Sequence, residues 1–171
     1  MKKLLVLLLL LQACQTHDVK NSENFAEMIQ GQWSGDMFIF NKGQIRDTVP
    51  VLFTVRETDT IDRWHWQMKY ISEEFPITKD YRLELINARE QQYITDEGSG
   101  IILNSYRYKN KLYGFYTVSN TVFSATYELQ GQDLIFEVYG GNPSKDSLKT
   151  DYKVHPYSVD FLQRVSLKKI Q

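Results

Sequence analysis

The stretch that decides the fold is residues 101–138, which read IILNSYRYKN KLYGFYTVSN TVFSATYELQ GQDLIFEV. Apolar and polar side chains alternate along it, and the alternation breaks at Lys109-Asn110, Ser119-Asn120 and Gln130-Gly131. Strands of period two that are joined by two-residue turns are typical of antiparallel hairpins. We therefore predict four consecutive strands, and the turns leave their register little freedom.

Pairing across these three turns places most apolar residues of the stretch on one face of the sheet. We expect that face to point into the core, while the other face is polar except for four aromatic side chains. The predicted inward residues are Leu103, Leu112, Gly114, Tyr116, Val118, Phe123, Ala125, Tyr127, Leu134, Phe136 and Val138, and the outward aromatic ones are Tyr106, Tyr108, Tyr113 and Phe115.

The same alternation continues on both sides of this stretch, and it predicts nine or ten strands in all. Pro50 interrupts the strand around residues 49–55 and indicates a sheet edge or a bulge there. Residues 21–30 predict one short helix, with Ser22 as its N-cap and Gly31 after its end. A long antiparallel meander curls, and closure removes its exposed edges. We therefore predict an all-β, up-and-down antiparallel barrel of eight to ten strands with one short N-terminal helix.

Composition narrows the classes of function. Lys and Arg total 20 against 21 Asp and Glu, for a net charge of -1, so no basic excess suggests nucleic acid as a partner. One cysteine and three scattered histidines argue against a disulfide framework or a metal site. The acidic pairs Glu73-Glu74 and Asp96-Glu97 point to opposite faces of extended chain, and residues 96–100 read as a flexible turn. We predict no catalytic residue, metal or cofactor, and no enzyme.

The N-terminal residues have the pattern of an export signal. Met1-Lys2-Lys3 is cationic, and the apolar run Leu4–Leu11 would rise only about 12 Å as a helix, against roughly 30 Å of bilayer hydrocarbon. A run of this size is typical of a signal-peptide core. Leu11-Gln12-Ala13-Cys14 follows it and resembles the lipobox of bacterial lipoproteins.

The lipobox resemblance implies that residues 1–13 are removed and that Cys14 carries the lipid. Several acyl chains on one residue anchor a protein stably in a membrane. Residues 14–24 would then tether a barrel domain at residues 25–171 to that anchor. The protein would lie at the bacterial cell envelope, and Gln15 in place of an Asp favours the outer membrane in a Gram-negative host. The alternative is an ordinary secretory signal in which Cys14 is incidental.

Gly31-Gln32-Trp33 joins the predicted helix to the first predicted strand. This arrangement resembles the Gly-x-Trp signature of lipocalins and their calycin relatives. The resemblance implies that Trp33 packs across the closed end of the barrel against an Arg of the last strand, for which Arg164 is the candidate. The alternative is that Trp33 is a core aromatic residue of another antiparallel fold. The central lipocalin motif and an Arg-x-Tyr pair have no match, so no ligand chemistry carries over.

The predicted inward face offers candidate ligand contacts. Gly114 and Ala125 are small and face each other, so they either open a cavity or make room for Trp64 and Trp66 from across the barrel. Arg107 shares that face near a turn, where it either meets an anionic headgroup or reaches water at the rim. The ligand-lining candidates are Trp64, Trp66, Arg107, Gly114, Tyr116, Phe123, Ala125, Tyr127 and Phe136.

These features lead us to expect non-catalytic binding of a small, largely apolar molecule by a lipid-anchored envelope protein. The alternative is a structural or interaction lipoprotein with a filled barrel that docks an envelope protein through its outer surface. The outward aromatic residues suit that alternative, because aromatic side chains are enriched at interface hot spots. In either case the expected partners include the membrane, through the anchor.

The substitution Cys14→Ser tests the anchor. Because Cys14 is the single cysteine, radiolabelled palmitate supplied to bacterial cells is expected to label the whole protein and to leave Cys14→Ser unlabelled. Autoradiography of the purified protein measures the incorporation. Gln15→Ser is the control and should keep the label. Equal labelling of Cys14→Ser and the unaltered protein contradicts lipidation at this position.

Overall fold

The structure is a computed structural model and describes residues 24–74, 76–144 and 155–170. Those residues form ten antiparallel strands and one short helix, in agreement with the all-β prediction. Within the same ranges, no helix has both the length and the hydropathy needed to cross a bilayer. The elements are α1 Phe25–Met28, β1 Gly31–Asn41, β2 Gln44–Glu57, β3 Arg63–Tyr70, β4 Ile77–Asn87, β5 Gln92–Gly98, β6 Ile101–Tyr108, β7 Lys111–Val118, β8 Thr121–Gln130, β9 Asp133–Gly141 and β10 Phe161–Lys169.

Each strand pairs with its neighbours in the chain, and β1 pairs with β10 to close the barrel. This order confirms the up-and-down topology, and closure gives every described strand a paired neighbour on each side over at least part of its length. Alternate side chains of every strand point inward and, together with α1, form one apolar core. Its largest fully buried members are Phe25, Ile29, Met37, Val51, Phe53, Val55, Trp66, Leu83, Tyr93, Leu134, Val165 and Leu167.

Two of the three predicted hairpin turns are correct. Lys109-Asn110 connects β6 to β7, and Ser119-Asn120 connects β7 to β8. The third prediction is wrong, because Gln130 pairs with Asp133 and the turn is Gly131-Gln132 instead of Gln130-Gly131. Gly131 has φ +62°, a conformation that glycine adopts without strain. The error moves the register by two residues, so every side chain keeps its predicted face.

The expectation of a sheet edge at Pro50 is confirmed for the side of β2 that faces β3. Pro50 pairs with Asp36 of β1, but the ladder between β2 and β3 ends at the pair of Val51 and Tyr70. Just beyond it, the Pro50 carbonyl accepts a hydrogen bond of 2.8 Å from the N–H of Ile71. In an antiparallel strand the N–H and C=O of one residue point to the same neighbour. The N–H that Pro50 lacks would therefore also face Ile71, which is 58% exposed at the end of this ladder.

Helix α1 is shorter than predicted, and Asn24 is its N-cap. The Glu27 N–H donates to Asn24 Oδ1 at 2.9 Å, and the Asn24 N–H donates to Glu27 Oε2 at 3.1 Å. This reciprocal capping box satisfies two helix-end donors at once. The predicted cap Ser22 lies outside the described residues.

The short helix closes one end of the barrel, which we call the closed end. Phe25 and Ile29 of this segment have no exposed surface. The Phe25 N–H donates to the Tyr93 hydroxyl at 3.0 Å, and the Trp33 indole N–H donates to the Ile29 carbonyl at 2.8 Å. Both bonds are buried, where the loss of one partner costs about 1–3 kcal/mol. They fix α1 to the inner wall from two strands.

The predicted pair of Trp33 and Arg164 does not form. Leu167 is buried and marks the inward phase of β10, so Arg164 lies on the outer face, where it contacts Glu137 at 2.5 Å. Lys169 is in phase with Leu167 and directly opposite Trp33, and its Nζ lies 5.6 Å from the centre of the Trp33 ring. Lys169 thus supplies the cation that the resemblance assigned to Arg164.

The contact between β1 and β10 depends on Gly35. A Cβ at Gly35 would lie 2.5 Å from the backbone oxygen of Ser166, so Gly35→Ala forces the two strands apart. We expect Gly35→Ala to lower the free energy of unfolding by about 1–3 kcal/mol. Urea denaturation of the whole protein measures the change.

Gly114→Ala is the matched control for Gly35→Ala. A Cβ at Gly114 meets its nearest neighbour, the Ala125 oxygen, at 3.6 Å, which is ordinary contact. Alanine also orders a strand at less entropic cost than glycine, so the control is expected to be neutral or stabilising by up to about 1 kcal/mol. An unfolding midpoint of Gly35→Ala equal to that of Gly114→Ala would contradict the close approach.

Candidate functional site

The half of the barrel remote from α1 encloses a cavity of about 700 Å³. Pockets for small ligands usually measure about 300–1,000 Å³. Strands β3 to β10 provide its walls, and residues next to the β7–β8 turn lie at its mouth. The lining residues are Trp66, Met68, Tyr70, Lys79, Tyr81, Thr95, Glu97, Ile101, Leu103, Tyr116, Thr117, Val118, Ser119, Phe123, Ala125, Tyr127, Phe136, Val138, Phe161 and Gln163.

Small residues help to keep this space open. Gly114 pairs directly with Ala125, as predicted, so the wall between β7 and β8 is thin at that level. One rung nearer the mouth, Tyr116 pairs with Phe123, and their rings stack with centres 5.6 Å apart. The two rings therefore lie along the wall and support each other.

Aromatic side chains form the floor of the cavity. The Tyr127 ring lies 4.8 Å from Trp66, 4.5 Å from Phe136 and 5.4 Å from Phe53, measured between ring centres. Phe53 is fully buried beneath the other three. Burial also raises the pKa of the Tyr127 hydroxyl far above its ordinary value, so that hydroxyl stays protonated. The aromatic floor, defined as Trp66, Tyr127 and Phe136 over Phe53, separates the cavity from the packed closed end.

Three further tyrosine hydroxyls come together in the upper part of the cavity. Burial and the nearby Tyr116 raise the pKa of Tyr70 to about 12. Burial raises the pKa of Tyr81, and the adjacent Glu97 carboxylate raises it further. Burial likewise raises the pKa of Tyr116, with Glu97 again contributing. All three are neutral near pH 7 and can donate or accept hydrogen bonds, so the cavity offers polar contacts above an apolar floor.

Two charged side chains, Lys79 and Glu97, also line the cavity. Lys79 is exposed at the mouth, whereas Glu97 is half-buried in the wall. Sequence reasoning missed Glu97, because residues 96–100 read as a flexible turn. The signal that could have found it is the alternation of Tyr93, Thr95 and Glu97, which continues the inward phase of β5 to its end.

Eight of the nine predicted ligand-lining residues divide into three groups, and the ninth is Arg107. Trp66, Tyr116, Phe123, Ala125, Tyr127 and Phe136 line the large cavity, although contact with a ligand stays a prediction. Gly114 lines a separate small cavity of about 40 Å³ beneath it. Trp64 is buried beside Leu83 and does not line the large cavity.

Arg107 lies at the closed end and not in the cavity. Its Nη1 donates to Gln91 Oε1 at 3.1 Å, its Nη2 contacts the Met28 sulfur at 3.2 Å, and its Nε donates to the Lys109 carbonyl at 2.5 Å. The predicted face is correct, but Arg107 is near the end of β6 that meets α1. A headgroup in the cavity is therefore out of its reach, and Arg107 fastens α1 to the barrel rim instead.

The outer surface carries the aromatic residues predicted there. Tyr108 is 65% and Phe115 is 74% exposed. Tyr113 lies between them, with its ring centre 5.8 Å from that of Tyr108. A groove of about 280 Å³ adjoins Phe115 and is lined by apolar side chains that include Tyr139. We call Tyr106, Tyr108, Tyr113 and Phe115 the outer aromatic strip.

A comparison of the chain with models of known protein families finds no match, and a comparison with curated proteins finds none either. Among the described residues, no group of three His, Cys, Asp or Glu side chains is arranged to hold a metal ion. What the site can do is therefore argued from its own geometry: an open cavity with an aromatic floor, neutral hydroxyls above it and one carboxylate in the wall.

Proposed function

We propose that this protein binds a small, largely apolar molecule in its barrel cavity and does not transform it. The observation that carries the proposal is the cavity of about 700 Å³ above the aromatic floor. Removing apolar surface from water contributes about 25 cal/mol per Å², so an apolar ligand that fills this space gains most of its affinity from the walls. The tyrosine hydroxyls would then orient it.

We further propose that the protein acts at the bacterial cell envelope, anchored by lipid on Cys14. The support is the cationic and apolar leader followed by Leu11-Gln12-Ala13-Cys14. Gln15 favours the outer membrane where the host has one. The lipocalin resemblance is supported by Trp33, which bonds to the α1 segment at the closed end of the barrel. The ten strands of the described barrel differ from the eight of lipocalins, so a lipocalin-like relation is proposed and not membership.

The substitution Ala125→Phe tests whether the cavity binds the ligand. The added ring occupies space beside Tyr127 and Tyr116, so affinity for the neutral apolar probe N-phenylnaphthylamine is expected to fall by at least about tenfold, or 1.4 kcal/mol. Probe fluorescence is titrated with the whole protein in lipid nanodiscs. Partition of the probe into lipid is the same for each variant, so the difference between variants isolates the cavity.

Ile102→Phe is the control for Ala125→Phe. Ile102 lies on the outer face of β6 and is 46% exposed, so Ile102→Phe adds the same ring outside the barrel. Its probe affinity should equal that of the unaltered protein. The proposal fails if Ala125→Phe binds the probe as tightly as Ile102→Phe does. Native mass spectrometry of the protein as isolated adds a second readout, namely a small molecule that co-purifies and is lost in Ala125→Phe.

A second candidate function is docking of an envelope protein through the outer aromatic strip, and the exposure of Phe115 favours it. Large exposed aromatic side chains in one patch are typical of interaction surfaces. A photo-crosslinking residue at Phe115 should then capture a partner protein in intact cells. The same group at Ile61, which is 88% exposed elsewhere, is the control. Identical products from both positions, or none, would count against docking through the strip.

A further inference from the structure

Of the two charged side chains that line the cavity, the half-buried Glu97 is the one to which an apolar ligand would offer no opposite charge. The Glu97 carboxylate lies half-buried in the wall. Among the ion pairs within 4.0 Å that the described residues form, none includes Glu97. Lys79 is the other charged lining residue, but it is exposed, so its ammonium can extend along the rim into water.

A β-bulge sets the position of Glu97. Asp96 pairs with Ile102 and Gly98 pairs with Ile101, so Glu97 is the extra residue on β5. Gly98 has φ +82°, which suits glycine and lets the strand bend at this point. Bulges at barrel rims commonly re-aim a side chain. Here the bulge falls where β5 reaches the mouth, and the inward phase of Tyr93 and Thr95 carries on to the carboxylate.

Two tyrosines, Tyr81 and Tyr116, lie near this carboxylate. Arg82 of β4 pairs with Asp96 of β5, so the next residues along the two strands, Tyr81 and Glu97, lie side by side on the inner face of the barrel. Tyr81 in turn pairs with Trp66 of the aromatic floor. The effect of Glu97 on the pKa values of Tyr81 and Tyr116 agrees with this proximity. One carboxylate therefore faces a cavity whose remaining walls are largely π-systems and hydroxyls.

Ligand entry changes the environment of that carboxylate. A purely apolar ligand displaces water from Glu97 and leaves the carboxylate with the Tyr81 hydroxyl but with no opposite charge, which is costly. An anionic ligand adds repulsion to that cost. A ligand ammonium forms a charge-assisted contact with the carboxylate, and the faces of Tyr81 and Trp66 attract the same charge by cation–π interaction. Both effects favour a cationic ligand over a neutral or an anionic one.

We infer that the molecule held in the barrel cavity is an organic cation, with an amine or quaternary ammonium beside Glu97 and an apolar body on the aromatic floor. This inference rests on the proposed function and adds the charge of the ligand to it. The cation need only be small enough for a cavity of about 700 Å³.

Competition among three ligands that share one apolar chain tests the charge. Octylamine, octanol and octanoate are cationic, neutral and anionic near pH 7, and each is titrated against bound N-phenylnaphthylamine on the whole protein in nanodiscs. Octylamine is expected to displace the probe at a concentration at least about tenfold lower than octanoate, with octanol between them. Empty nanodiscs give the blank for each ligand.

Three variants assign the preference to Glu97. Glu97→Gln should bind the neutral probe at least as tightly as the unaltered protein, because no carboxylate is then desolvated, and should reduce the amine-to-carboxylate ratio to within about threefold. An unchanged unfolding midpoint shows that the barrel of this variant is intact. Glu74→Gln removes the same charge from an exposed position at the same end of the barrel, outside the lining, and should keep the preference. Lys79→Gln should keep or increase it.

The outcomes separate this inference from the proposed function. Equal displacement by all three ligands overturns the cation while leaving apolar binding intact. Preference for octanoate that Lys79→Gln abolishes also overturns it, in favour of an anionic ligand. If probe binding is the same in the unaltered protein and in Ala125→Phe, the proposed function itself fails. Unchanged preference in Glu97→Gln shows that Glu97 is not the recognising group.

Discussion

Closure of ten strands into one barrel is the constraint on which the rest of this structure depends. An eight-stranded barrel is just wide enough to be filled by side chains or to hold one small ligand, and diameter grows with strand number. A barrel with two more strands is wider, and its inward side chains do not fill the interior along the whole length of the barrel. The chain fills one half with α1 and buried apolar residues, and the other half stays open. The cavity thus follows from the strand number before any single residue is considered.

The packed half of the barrel holds the floor of the open half in place. The Phe25 N–H and the Trp33 indole tie the α1 segment to the inner wall, and Arg107 ties the helix to the barrel rim. Above the α1 segment, the rings of Tyr127 and Trp66 pack with their centres 4.8 Å apart and complete the aromatic floor. A pocket whose walls are already in place loses little conformational freedom when a ligand enters. In the proposed function, binding therefore belongs to the open end of the barrel and stability to the packed end.

Alternation in the sequence was sufficient to predict which face each side chain takes, but not its depth along the barrel. The turn predicted at Gln130-Gly131 was displaced, yet the faces survived because the shift was even. Arg107 has the predicted face, but the choice between the rim and a ligand contact stayed open in the sequence, since strand tilt and stagger decide depth and leave no trace in a period of two. The prediction of Arg164 as the partner of Trp33 fails for a different reason: Leu167 marks the inward phase of the last strand, and Arg164 is out of phase with it.

Glu97 shows why the polar part of the site was the hardest to predict. A bulge ends the regular pairing of β5 with β6, and a glycine-rich segment of this kind has the composition of an ordinary turn. The bulge disrupts the β5–β6 ladder at the rim, and it also places the Glu97 carboxylate in the wall of the cavity. Apolar walls contribute affinity for many molecules, whereas one half-buried charge can discriminate among them, because the wrong headgroup leaves that charge desolvated without an opposite charge. In the proposed function, specificity therefore depends on a local irregularity, and capacity on the regular strands around it.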